Sequence, residues 1–109
     1  MTLLLHITER ALWDAAREAG TYEMSTRGKT LSEEGFIHCS LPEQLRGVAE
    51  FLYGDYAGPD DLVVLTIDSE RLTAPLRFEA AKPGGVEFPH LYGPLPVAAV
   101  TDVTPWVKV

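Results

Sequence analysis

The spacing of apolar residues in the first third of the chain predicts a strand, a helix and then a loop. An apolar run over residues 2–7 predicts the strand. The helix is predicted over residues 9–19, with Thr8 as its N-cap and Gly20 just past its end. The polar, glycine-containing stretch 20–34 predicts an irregular loop.

A second strand and helix are predicted in the middle of the chain. Residues 36–39 are a short apolar run that predicts a strand. Ser40 and Glu43 then have the spacing of a capping box, in which a serine hydroxyl caps the helix and a glutamate three residues later returns the bond. The predicted helix runs over 42–53 and stops at Gly54.

The second half of the chain has strand patterns and no further helix pattern. The continuous apolar run 62–67 predicts a strand buried on both faces, and 76–78 predicts a short one. Residues 86–94 are extended but contain two prolines, which favours a sheet edge or a loop over a central strand. Weak alternation over 98–107 predicts a closing strand. Helices early and strands late predict an α+β fold.

Length and hydropathy predict one globular domain. The 109 residues fit a single domain over 1–109, large enough to bury a core without disulfides. No apolar run approaches the ~18 residues that a membrane span needs. The first residues lack the basic and long apolar regions of a signal peptide. We therefore expect a cytoplasmic protein with no membrane partner.

Charge and cysteine content limit the binding partners and the cysteine chemistry that the chain can have. The chain carries 16 acidic against 9 basic side chains, and the basic ones are scattered singly. Nucleic-acid binding needs clustered Lys and Arg, so such a partner is disfavoured. The single cysteine, Cys39, excludes an internal disulfide and a cysteine-based zinc site. Cys39 lies between a predicted strand and a predicted helix, where a thiol could act as a nucleophile. Core packing is the favoured interpretation, because Cys39 and its neighbour His38 point to opposite faces of the strand, and a cleft-facing His38 leaves Cys39 in the core.

Three histidines carry the candidate chemistry. His6, His38 and His90 each lie in a strand-like apolar setting, and an imidazole can donate, accept or titrate near neutral pH. If the three converge, they line a cleft. If they do not converge, each is interpreted as a hydrogen-bonded histidine of the core or its rim. A zinc site is a weaker interpretation, because the spacings are long and contain neither HxH nor HExxH. Glu79 and Glu87 are interpreted as solvated or salt-bridged strand residues.

Two motifs resemble a known family. The segments Gly35-Phe36-Ile37-His38-Cys39-Ser40 and Phe88-Pro89-His90-Leu91-Tyr92-Gly93-Pro94-Leu95 resemble a small bacterial family called domain of unknown function 952. That family is in turn similar to a minimal ADP-ribosyltransferase-type fold. The resemblance implies two small, mostly antiparallel sheets that form a cleft, with two helices in the N-terminal half.

The resemblance also implies roles for four residues, and Tyr92 is expected to line the same cleft. His6 matches a residue that holds a ribose hydroxyl, and His38 one that packs on the base or ribose. Ser40 matches a small hydroxyl residue. His90 stands where the larger group commonly has a carboxylate, and is expected to shuttle a proton. The expected catalytic residues are therefore His38 and His90, and the expected substrate-binding residues are His6, Ser40 and Tyr92.

The resemblance leaves the activity open between three classes. The first is an enzyme that binds NAD or an ADP-ribose-like nucleotide and acts at the ribose by transfer or hydrolysis. NAD is then a candidate substrate, and no cofactor or metal is assigned. The second is a non-catalytic module that binds a small molecule or is purely structural. The third is a histidine-liganded metal hydrolase. The oligomeric state is also open.

Overall fold

Three short α-helices and ten strands make up the described part of the chain. A computed structural model describes residues 2–56 and 61–106. The α-helices are α1 (Arg10–Ala19), α2 (Leu31–Glu34) and α3 (Leu45–Tyr53), with 3-10 turns at Pro42–Gln44, Ser69–Arg71 and Val97–Ala99. The strands are β1 (Leu3–Glu9), β2 (Thr21–Tyr22), β3 (Met24–Thr26), β4 (Lys29–Thr30), β5 (Ile37–His38), β6 (Leu62–Asp68), β7 (Leu76–Ala80), β8 (Glu87–Leu91), β9 (Leu95–Pro96) and β10 (Val100–Pro105).

The first large sheet is built around the most apolar strand. Its order is β1-β6-β10, and both neighbours of β6 run antiparallel to it. Val63, Val64, Leu65 and Ile67 are all buried, so the prediction of a strand covered on both faces is confirmed. The predicted closing strand is also confirmed as β10, although the end of the predicted range, Val107, lies outside the described residues.

The second large sheet corrects the prediction for residues 86–94. Its order is β5-β8-β7, so β8 is a central strand despite its proline. The Pro89 carbonyl accepts the Cys39 N–H at 2.9 Å. In an antiparallel pair the N and O of one residue face the same neighbour. The missing N–H therefore faces the side of β5, which ends at His38, and the sheet loses only one bond.

A backbone bridge joins the two large sheets and corrects the role of Ser40. Leu5 and Ser40 exchange N–H···O bonds of 2.8 and 2.7 Å, so the chain stays extended through Ser40. The following turn is capped instead by Gln44, whose Oε1 accepts the Leu41 N–H at 2.9 Å. The predicted helix over 42–53 is confirmed as the turn Pro42–Gln44 followed by α3.

The start of α1 differs from the prediction, and its end agrees. Thr8 is a buried residue of β1 whose hydroxyl lies 2.8 Å from that of Tyr22, so it is not available as a cap. Glu9 takes the N-cap position without a side-chain bond. Gly20 has a φ of 94° at the C-cap, a left-handed conformation in which glycine is free of the Cβ clash.

Residues 20–34 are ordered secondary structure and not an irregular loop. β2 pairs with β9, and β3 forms a hairpin with β4. Thr30 caps α2 and shares a capping box with Glu33. The prediction was wrong because strands of two or three residues are too short to show a periodic pattern.

The fold is α+β with antiparallel sheets and few helices, as predicted. Its main core joins both large sheets, with Leu4 and Leu65 from one and Ile37 and Leu91 from the other, all fully buried. Across residues 2–56 and 61–106, every helix is too short or too polar to cross a bilayer.

Candidate functional site

A cavity of about 910 Å³ opens beside the junction of the two large sheets. Its lining comes from β1, β3, the segment 36–40, the Pro42–Gln44 turn, α3, β8 and the end of β7. Four of the five predicted site residues are in this lining: His6, His38, Ser40 and His90. Tyr92, the fifth, is not in the lining; its hydroxyl bonds Glu79, whose side chain does line the cavity.

Strand periodicity explains why these side chains share one face. Successive strand residues point to opposite sides. Phe36, His38 and Ser40 line the cavity, whereas Ile37 is buried in the core; Cys39 belongs to the core as well and also borders the cavity. The predicted core placement of Cys39 is confirmed, and burial raises the pKa of its thiol to about 12. A thiol with that pKa is a poor nucleophile near neutral pH.

His6 is a buried imidazole with both ring nitrogens hydrogen-bonded inside the protein. Its Nδ1 lies 2.6 Å from the His38 carbonyl oxygen, and its Nε2 lies 2.8 Å from the Tyr22 hydroxyl. That hydroxyl is in turn 2.8 Å from Thr8 Oγ1. Burial lowers the pKa of His6 to about 4, although the bond to the His38 carbonyl opposes the change. The ring is therefore neutral at physiological pH.

The chemistry of the partners assigns the tautomer of His6. A carbonyl oxygen only accepts, so Nδ1 carries the proton and donates it to His38. In a neutral ring Nε2 is then an acceptor, and Tyr22 must donate to it. The Tyr22 oxygen accepts the hydroxyl proton of Thr8. These hydrogen bonds connect the His38 carbonyl through His6 and Tyr22 to Thr8 and so fix the backbone of His38 on the core side.

His38 and His90 face each other across neighbouring strands. They are register partners in the β5–β8 pair, and their ring centroids are 5.1 Å apart at an interplanar angle of 76°. Phe36 stacks on His90 with a centroid distance of 4.2 Å and contacts His38 at 4.7 Å. The two imidazoles are thus held in one orientation by an aromatic side chain.

Glu79 holds His90 from the adjacent strand β7. His90 Nδ1 lies 2.9 Å from Glu79 Oε1, and the Tyr92 hydroxyl donates to the same oxygen at 2.5 Å. The bonds from Tyr92 and His90 lower the pKa of the Glu79 carboxyl. The Tyr92–Glu79 bond also raises the pKa of the Tyr92 hydroxyl. Glu79 therefore stays ionised near neutral pH and accepts the Nδ1 proton of His90, so that Nε2 is the ring nitrogen that Glu79 does not engage.

His38 differs from the other two histidines because its ring has no fixed partner. Within the described ranges, no protein group forms a hydrogen bond to its ring nitrogens. Partial burial lowers its pKa, and the electrostatic effect of the neighbouring His90 lowers it further, against a smaller opposing effect of Glu34. A neutral imidazole with unoccupied nitrogens on a cavity wall is suited to bind or exchange a proton with a ligand.

The three histidines line one cavity but do not form a metal-binding triad. Both nitrogens of His6 and Nδ1 of His90 are already bonded to protein groups. In residues 2–56 and 61–106, no three His, Cys, Asp or Glu side chains are grouped to hold a metal ion. The geometry of these side chains therefore gives the metal hydrolase interpretation no ligand set.

Two side chains that contact the histidines, Phe36 and Glu79, were not among the predicted site residues. Phe36 belongs to the motif that carried the resemblance, but its stacking role depends on a strand that pairs far along the chain. Glu79 was interpreted as a solvated or salt-bridged residue. Its register partner is Phe88, so it lies diagonally across from His90. This contact could be predicted only once the register of β7 against β8 is known.

Comparison with known proteins places the chain among proteins of unknown function. The family model described as "Protein of unknown function (DUF952)" matches residues 7–103. A crystal structure of protein CC0527 from Caulobacter crescentus is similar, with 37% identity, a TM-score of 0.77, and coverage of 99% of this chain and 89% of that one. The solution NMR structure of CC0527 has 40% identity, a TM-score of 0.72, and coverage of 95% and 84%. Curated proteins provided no match.

Proposed function

This chain belongs to the DUF952 family, and we propose that it binds a small ring-bearing molecule in its cavity, on which His38 and His90 act by proton transfer. The observation that carries the proposal is the pair of imidazoles 5.1 Å apart in the wall of a cavity of about 910 Å³. Cavities of ~300–1,000 Å³ with mainly apolar walls and a few polar groups are typical of small-molecule sites.

His90 is the proposed general base. Glu79 accepts the Nδ1 proton, which leaves the lone pair of Nε2 available to take a proton from a ligand. The imidazolium formed at that moment is stabilised by the adjacent carboxylate. Tyr92 orients Glu79 and acts on the ligand only through it, a role different from the direct substrate contact expected from the sequence.

His38 and Ser40 are the proposed ligand-contacting partners of His90. Both line the cavity on one face of the extended segment that leads from β5 into the bridge with β1. His38 supplies the second proton-transfer group, and the Ser40 hydroxyl supplies a hydrogen bond. Because both nitrogens of His6 are occupied, we propose that it positions His38 and does not contact the ligand with a ring nitrogen.

A nucleotide is the second candidate ligand, with the chemistry directed at its ribose. The stacked ring of Phe36 and the neighbouring imidazoles favour a planar base or nicotinamide. The likeness to ADP-ribosyltransferases, with NAD as substrate, belongs to this candidate. However, the charged lining residues within the described ranges are Glu43 and Glu79. Carboxylates repel phosphate, so a nucleotide would have to leave its phosphates outside the cavity.

The proposal is tested by NMR titration of the imidazole nitrogens with adenosine, NAD⁺ and ADP-ribose. We expect adenosine to shift both His38 and His90, and His90→Ala to remove its effect on His38. Glu79→Gln should weaken binding, because it removes the carboxylate that orients His90. Glu87→Gln is the matched control, because Glu87 lies at the far end of β8, outside the cavity lining.

The outcomes separate the candidate functions. Tighter binding of NAD⁺ and ADP-ribose than of adenosine would favour the nucleotide. An unchanged spectrum with all three compounds would instead favour a non-catalytic module. The sequence-based expectations of a cytoplasmic location and of no nucleic-acid partner stay predictions.

A further inference from the structure

The charges around the cavity have one sign. Glu43 comes from the Pro42–Gln44 turn on one wall and Glu79 from β7 on another. Among the described lining residues there is no lysine or arginine to balance them. A carboxylate that faces a low-dielectric cavity attracts a cation and repels an anion more strongly than it does in bulk water.

Arg27 and Arg77 each contact an aromatic ring and lie outside the cavity lining. Arg27 donates to the Leu52 carbonyl at 2.5 Å, and its guanidinium carbon lies 5.2 Å from the ring centroid of Tyr53. The guanidinium carbon of Arg77 lies 5.3 Å from the ring centroid of Tyr92. Neither arginine lines the cavity. The positive charge of Arg77 acts on Glu79 from outside the cavity and contributes to lowering its pKa, after the bonds from Tyr92 and His90. Within the described lining itself, no lysine or arginine opposes the two carboxylates.

Aromatic rings complete the lining on three elements. Phe36 precedes β5, Phe51 is on α3, and Phe88 is on β8. Phe51 is 87% exposed, so its ring stands at the open side of the cavity in contact with water. The faces of aromatic rings attract cations, and the attraction is stronger where water is excluded.

We infer that the ligand of this cavity carries a positive charge, as a protonated or quaternary amine or an amidinium, held between Glu43, Glu79 and the phenylalanine rings. This inference rests on the proposed function and names its ligand class.

The test uses three ring compounds of similar size and different charge: benzyltrimethylammonium, benzyl alcohol and phenylacetate. Binding is followed through the imidazole signals of His38 and His90 in the full chain. We expect the cation to bind about tenfold more tightly than the alcohol, since the alcohol forms neither the ion pairs nor the cation–π contacts. We expect phenylacetate to bind most weakly. Added salt should reduce the advantage of the cation.

Two matched pairs of variants locate the effect. Glu43→Gln should reduce the cation's advantage about two- to fivefold and leave benzyl alcohol unchanged, whereas Glu87→Gln should change neither. Phe51→Ala should weaken the binding of the cation, whereas Phe78→Ala should leave it unchanged, because Phe78 is an exposed ring outside the cavity lining. Glu43 and Phe51 are themselves exposed, so loss of folding is not expected.

Three results contradict the inference in distinguishable ways. Equal binding of the alcohol and the cation, with both imidazoles shifted, would overturn the positive ligand and leave the proposed function standing. Tighter binding of phenylacetate would do the same and return the nucleotide to first place. Undisturbed imidazoles with all three compounds and with adenosine would overturn both proposals.

Discussion

At the residue scale, the three histidines have three different environments. The ring of His6 is buried and fully bonded to Tyr22 and to the His38 carbonyl. His90 is oriented by a carboxylate. His38 lies on the cavity wall, with its ring nitrogens bonded to none of the described groups. The sequence places all three in similar apolar strands, and only their hydrogen-bond partners distinguish a fully bonded buried ring, a ring oriented by a carboxylate and a ring on the cavity wall.

The buried imidazole of His6 predicts a loss of stability in acid. An unfolded histidine titrates near 6.5, and His6 in the fold titrates at about 4. As the pH falls through that window the unfolded chain binds a proton that the folded chain does not. The free energy of unfolding should therefore fall by about 3 kcal/mol from this residue alone, a loss complete only below pH 4.

Urea unfolding across this pH range checks the prediction. His6→Gln has no imidazole to titrate, so its stability should decline less with acid than that of the wild type. Carboxylates with lowered pKa, such as Glu79, weaken both proteins alike as the pH falls and cancel in the comparison. Parallel pH profiles for the two proteins would show that His6 is not the group responsible.

At the element scale, the β3–β4 hairpin is held against the end of α3 by one side chain. Arg27 bonds the Leu52 carbonyl, lies over the rings of Tyr53 and Tyr56, and pairs with Asp55 at 3.2 Å. Thr26 and Leu52 on the two sides of this contact both line the cavity. The arginine therefore helps to fix the separation of two cavity walls.

Replacing Arg27 by alanine should loosen the hairpin. We expect a loss of about 1–2 kcal/mol in unfolding free energy, because a charged hydrogen bond and two ring contacts are removed. Hydrogen exchange of the amides of β3 and β4 should become faster. Asp55→Asn is the matched control: the Asp55 side chain is 90% exposed, so its ion pair should contribute under 1 kcal/mol. Equal effects of the two changes would argue against the ring and carbonyl contacts.

At the scale of the whole molecule, the two large sheets share one core and one backbone bridge. The Leu5–Ser40 bridge connects β1 to the segment that follows β5. Buried side chains from both sheets belong to the same hydrophobic cluster, with Trp13 of α1 packed among them. The Cα radius of gyration is 13.0 Å, the value expected for ~100 residues in one domain.

A shared core predicts that the chain unfolds in one cooperative step. Urea curves from Trp13 fluorescence, which reports on the main core, and from backbone circular dichroism should coincide. Trp106, near the second apolar cluster, should be replaced by Phe so that the signal comes from one site. Separate midpoints would indicate two units and contradict the single domain over 1–109 that the length predicts.

The sequence by itself determined the elements whose signal is local. The long apolar strand β6, the helix α1 with its terminal Gly20, and the helix after Pro42 follow from periodicity and end signals within a short window. The alternation of Phe36, His38 and Ser40 against buried Ile37 and Cys39 also follows from strand geometry. These features predicted the α+β class, whereas the four predicted residues that line the cavity came from the apolar settings of the histidines and from the family resemblance.

Only the tertiary structure decided which distant groups meet. His6 and the His38 carbonyl are 32 positions apart, and the register of β7 against β8 brings Glu79 to His90. The same long-range pairing made β8 central despite Pro89 and moved Ser40 from a cap to a bridge. Each such contact depends on burial and hydrogen bonding between segments, and the local preferences of the residues carry no information about which partner they meet.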